Sequence, residues 1–166
     1  KDDTSKPVIS ADELLYSDYH FEGLVFSMPV TWKEYGAQDD DGSLYANAFQ
    51  NTGVFFQSND VGVEISSDGL ASSLNDTMST ITETDEGYSS FAMVEEAHLV
   101  DTADNFPYPV ARMSFTVKNG DVDEFHITEV IGVNTKLVLL DCVCVQRLRT
   151  AAEPEFEHIL STITAE

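Results

Sequence analysis

The chain has 166 residues, 42% of them hydrophobic, and its eight Lys and Arg against 30 Asp and Glu give a formal charge of −22. That length suits one domain with its own core and is short for two. The charge repels phosphate backbones and anionic headgroups, which excludes nucleic acid as an expected partner, and no apolar run approaches the ~18–20 residues of a membrane span.

Residues 1–13, "KDDTSKPVISADE", carry too little apolar surface to order themselves and read as a flexible spacer ahead of a single domain over 14–166. Such a spacer fits a precursor trimmed during export. The expectation is therefore an extracytoplasmic protein held at the cell surface through a lipid-modified N-terminus. "YHFEGLVFSMP" then alternates, with Leu24, Phe26 and Met28 on one side, until Pro29 removes a ladder donor. Trp32 follows as the only tryptophan. It reads first as a bolt pinning this corner to the sheet edge or the terminal helix, and with Tyr35 it is the candidate contact for a ligand or partner. "TWKEYGAQDDDGS" is a polar connection. Asp39, Asp40 and Asp41 are its weak cation candidates, because the Asp-x-Asp-x-Asp-Gly alternation and distant Glu of a calcium loop are missing.

Three short β-rich runs are expected at 44–50, 53–58 and 61–67, separated by Asn-Thr-Gly and Asn-Asp turn signals. Leu70, Leu74, Met78 and Ile81 then recur at helical spacing, with Ser67 or Asp68 placed to cap a helix over 70–83. Strand resumes at 91–100, a Pro-stiffened loop fills 102–109, and three long strands follow at 110–117, 122–133 and 136–146. A closing helix begins near Pro154 and carries Phe156, Ile159, Leu160 and Ile163 on one stripe.

Side-chain parity sets the register of the three long strands. A three-residue loop at Asn119-Gly120-Asp121 and a two-residue loop at Asn134-Thr135 gather Met113, Phe115, Val117, Phe125, Ile127, Ile131, Leu140, Cys142 and Cys144 on one face, with Glu129 the exception. A two-residue first turn at Asn119-Gly120 would set Phe115 beside Glu124 and scatter that set. The opposite face then lines up Arg112, Thr128 and Asp141, with His126 beside Ser114. We read Arg112, Thr128, Asp141 and His126 as a structural polar cluster built on an Arg112–Asp141 ion pair. A hydrolase using Ser114, His126 and Asp141 ranks last, because a mid-strand serine lacks the exposed turn and oxyanion donors of a nucleophile. Cys142 and Cys144 point from one face of one strand, which does not suit a mutual disulfide, and they read as small buried hydrophobes.

The opening "YHFEGLVFSMPVTW", a mid-chain helix, a long antiparallel meander and the terminal aromatic-aliphatic helix together resemble the PsbP-like domain family over residues 16–164. The resemblance implies an α+β sandwich, with an antiparallel sheet of about six strands flanked by helices. It also implies a binding or accessory role, as in the photosystem extrinsic subunit, a Ran-binding import factor and bacterial lipoproteins. The expected function is a non-catalytic module for a protein or cell-envelope partner, and the alternative is a small-molecule or divalent-cation (calcium) binding protein. No P-loop or dinucleotide fingerprint is present, and no cofactor is expected.

Overall fold

The first alternating stretch folds as a hairpin. β1 (Tyr16–Phe21) pairs antiparallel with β2 (Leu24–Pro29) around Glu22 and Gly23, both at positive φ (52° and 80°), as a type I′ turn demands. The computed structural model describes residues 15–36, 42–47, 52–84 and 86–166. The expected spacer and Asp39, Asp40 and Asp41 lie outside the described residues.

β3 (Lys33–Gly36), β4 (Gly42–Asn47) and β5 (Thr52–Asp60) follow, then α1 (Leu70–Thr84) and β6 (Tyr88–Leu99). The meander is β7 (Val110–Asn119), β8 (Val122–Val133) and β9 (Lys136–Val145), and a single 3-10 turn leads into α2 (Arg149–Ser161). β10 (Thr164–Ala165) closes on β2. The fold is α+β and antiparallel. Instead of about six strands in one sheet, the described residues form seven, in the order β3-β4-β5-β9-β8-β7-β6, with a second sheet of three, β1-β2-β10.

Two expected elements change. Residues 61–67 form no strand; the amides of Val61 and Ile65 donate to the carbonyls of Thr135 and Asn134, so the segment wraps the β8–β9 turn. α2 begins five residues before Pro154, because Arg-Thr-Ala-Ala-Glu is good helix sequence and Arg149 pairs with Glu153 one turn on.

The register of β7 on β8 also differs from expectation. Asn119 pairs with Val122, so the loop is the two residues Gly120-Asp121, with Gly120 at φ 60° in the first central position of a type II′ turn. Phe115 consequently lies opposite His126, and Phe115 and Phe125 point to opposite faces. The second turn, Asn134-Thr135, has the expected length.

The shift divides the apolar residues between two cores. On one face Phe125, Ile127, Ile131, Leu140, Cys142 and Cys144 pack with Leu24, Phe26 and Met28 of β2 and with Phe156, Ile159 and Leu160 of α2. On the other, Met113, Phe115, Val117 and Val130 pack with Leu70, Leu74 and Met78 of α1. Each fully buried large side chain contributes about 1.5–3 kcal/mol, and central strands covered on both sides are apolar on both sides. Both thiols are buried and free, and burial pushes that of Cys144 up to about 11.

Candidate binding site beneath the first helix

The face that α1 covers carries one concentration of charge. β8 presents Glu124, His126 and Thr128, and β9 places Asp141 directly across from Thr128. The His126 ring stacks on Phe115 with centroids 4.7 Å apart and planes 7° from parallel. Its Nδ1–H donates to Asp141 at 2.9 Å, and its Nε2–H donates to Glu124 at 3.1 Å. Thr128 donates its hydroxyl to Asp141 at 3.0 Å. Burial alone would lower the pKa of His126, but Asp141 and then Glu124 outweigh it and raise the value to about 9. The ring is an imidazolium held between two carboxylates, and the trio carries one net negative charge.

Arg112 belongs to the opposite face. Its Nε donates to Glu129 at 2.9 Å and its Nη1 reaches Glu157 of α2 at 3.2 Å. The expected Arg112–Asp141 pair is therefore absent. The one-residue shift gives Arg112 to Glu129, the residue that stood out as polar on an apolar face, and leaves Asp141 to His126 and Thr128. Burial raises the Glu129 carboxyl to about 7 even against the neighbouring guanidinium. Ser114 lies opposite Ile127 on that same face, so the sheet itself stands between Ser114 and the pair His126 and Asp141. The three residues of the hydrolase reading share no site.

α1 packs chiefly on β6 and β7, and the half of the sheet towards β5 and β4 stays open on this face. Phe55 is 45% exposed and Tyr35 43%, and Leu44, Leu137, Leu139, Val143 and Val145 are half-buried around them. Register places them together, because Tyr35 pairs with Leu44, Leu44 with Phe55, and Phe55 with Asp141. Two adjoining cavities open where this surface runs under α1. One, about 370 Å³, has hydroxyl and amide groups of Gln57, Asn59, Ser73 and Thr77 around Leu74, Val130, Leu137 and Leu139. The second, about 270 Å³, is walled by Phe55, Tyr88, Phe115 and Met78 and reaches His126 and Asp141. They share Gln57 and Leu139.

Trp32 is on the far side of the sheet. It is buried edge-on to Phe156 of α2, with ring centroids 6.3 Å apart, and its Nε1–H has no hydrogen-bond partner among the described residues. Of the two aromatic candidates, Tyr35 alone reaches the open surface. Phe55, Gln57 and Leu139 were not singled out from the sequence, and the exposed position of Phe55 depends on where α1 stops covering the sheet. Among the described residues no three His, Cys, Asp or Glu groups are arranged to hold a metal ion, and no helix is long and apolar enough to cross a membrane.

No protein-family model matches the chain, and a comparison with curated protein sequences finds no match. The fold does match solved structures. Cyanobacterial PsbP (CyanoP) from Synechocystis is 14% identical with a TM-score of 0.70, over 98% of this chain and 99% of that one. The Ran-binding protein Mog1p of Saccharomyces cerevisiae is 8% identical with a TM-score of 0.61, over 90% and 95%. LpqN of Mycobacterium tuberculosis, involved in cell envelope biogenesis, is 8% identical with a TM-score of 0.58, over 96% and 98%. The chain has the PsbP-like fold.

Proposed function

We propose that this chain is a non-catalytic binding or accessory domain of an exported, envelope-anchored protein, and that a partner protein docks on the open half of the seven-stranded sheet. The observation that carries the reading is the contiguous apolar surface from Tyr35 through Phe55 to Leu139, because surfaces of this kind mark interaction sites. The sheet edges are poorer candidates. β6 is broken by three register shifts and carries Glu95 and Glu96, and β3 is four residues long, both devices that discourage strand addition. Binding to Ran by Mog1p and the envelope role of LpqN fit a partner-binding use of this fold. The charge of −22 favours a partner whose docking segment is basic as well as apolar.

Site-specific photo-crosslinking in the full-length protein, in its native cells, tests this. A photoreactive residue at Phe55 is expected to give one defined protein adduct that Leu139→Glu removes, and one at Val30, exposed on the other side of the molecule, is expected to give none. No adduct at Phe55, or the same adducts at both positions, overturns the reading. The 370 Å³ cavity also supports a second reading, a small-molecule site. A co-purifying small molecule displaced by Leu139→Glu, without a protein adduct, would favour it.

A further inference from the structure

We propose that the aromatic-walled cavity at His126 and Asp141 receives a cationic side chain, a lysine or arginine, from the partner segment lying on the open half of the sheet. This rests on the docking reading above and adds the chemistry of one subsite.

The charge arithmetic at the cavity points to a cation. Both N–H groups of the His126 imidazolium are already given to Asp141 and Glu124. The imidazolium has no donor left for an anion, and the trio is left one charge negative. Asp141 accepts from His126 and Thr128, which occupies part of the roughly four lone-pair positions of a carboxylate. Its side chain is 19% exposed and lines the cavity. Phe55, its cross-strand neighbour, offers a π face beside that carboxylate, and Tyr88 forms part of the same wall. Leu139 and Met78 supply apolar contact for the methylene stem of a long basic side chain, whose charge would sit at Asp141.

Other occupants fit less well. Asp141 is the only carboxylate lining the cavity among the described residues, whereas a calcium ion takes six to eight oxygen ligands. A neutral apolar group would leave the excess negative charge uncompensated. A purely structural ion network requires no void, yet this one borders a cavity of about 270 Å³.

The test is an amide-resolved NMR titration of the full chain at neutral pH with four matched probes: n-butylammonium, n-butylguanidinium, n-butanol and butyrate. The two cations are expected to move the amides of Gln57, Leu139 and Asp141, to bind about tenfold more tightly than butanol, and to leave butyrate without effect. Their order distinguishes a lysine from an arginine. Asp141→Asn is expected to weaken the cations about tenfold. Because Asp141 also orients His126, Gln57→Lys provides a second arm at an exposed rim position, where it is expected to abolish cation binding and admit butyrate. Butanol binding as well as butylammonium overturns the cation subsite but leaves the docking reading standing, since crosslinking at Phe55 does not depend on it. No movement of these amides with any probe overturns the subsite as well.

Discussion

Protonation of His126 is coupled to folding. Its pKa is raised from 6.5 to about 9 in the folded chain, so the stabilisation it brings is complete below pH 6.5 and is lost as pH rises through 9. NMR of the imidazole protons should give a midpoint near 9, and the stability advantage of the wild type over His126→Gln should shrink across that interval. Glu129 has its own window. Its carboxyl is raised from 4.5 to about 7, so the contribution of its protonated form is complete below pH 4.5 and disappears as pH climbs through 7. In denaturant titrations, Glu129→Gln should therefore gain on the wild type between those two values; a constant difference would show the carboxyl to be ionised throughout. Trp32 is a matter of volume. Its Nε1–H is buried without a partner among the described residues, so Trp32→Phe gives up no hydrogen bond to them and should cost well under the ~3–5 kcal/mol expected for Trp32→Ala. Equal losses in the two variants would require a partner for the indole that the structure does not contain.

Among the elements, the turn between β8 and β9 is held from outside. Gly132, two residues before that turn, lies under Ile65, and a Cβ added there would sit 2.6 Å from the Ile65 Cγ2 and 3.2 Å from Pro109. Gly132→Ala should cost about 1–3 kcal/mol by overpacking, measurable by thermal unfolding. Much of this level was legible in the sequence. α1 declared itself through Leu70, Leu74 and Met78, and the meander through three long β-rich runs joined by short turns. The β7–β8 register did not, for a physical reason. Parity assigns faces when one side of a sheet is wet, but β8 is buried at every position from Phe125 to Val133, so a one-residue slip still left an apolar set on each side. The register difference carries into the site: His126 and Thr128 bond to Asp141, and Arg112 pairs with Glu129 instead of Asp141. β1, β2 and β10 were hidden differently. The alternation of "YHFEGLVFSMP" runs across the Glu22-Gly23 turn without an Asn-Gly signal, and two residues of β10 are too few for any pattern.

For the molecule as a whole, the charge of −22 acts against compactness through self-repulsion, which mobile ions screen over a Debye length of about 10 Å at 0.1 M. Added sodium chloride should raise the melting temperature, and an unchanged or lower value would mean that local ion pairs outweigh the global field. The same salt should slow association with a basic partner, so stability and capture are expected to move in opposite directions. β8 and β9 are shared by two cores: Phe125, Ile127 and Ile131 of β8 serve one together with Leu140, Cys142 and Cys144 of β9, and Val130 of β8 serves the other together with Leu137 and Leu139 of β9. Inheritance of loop length should feel this. A single codon gained or lost at Gly120-Asp121 would hand each core the side chains meant for its neighbour, placing Phe125 and Ile127 where the His126 charges now sit. Homologous chains are expected to vary that loop by pairs of residues, or to absorb an odd change with a bulge close by.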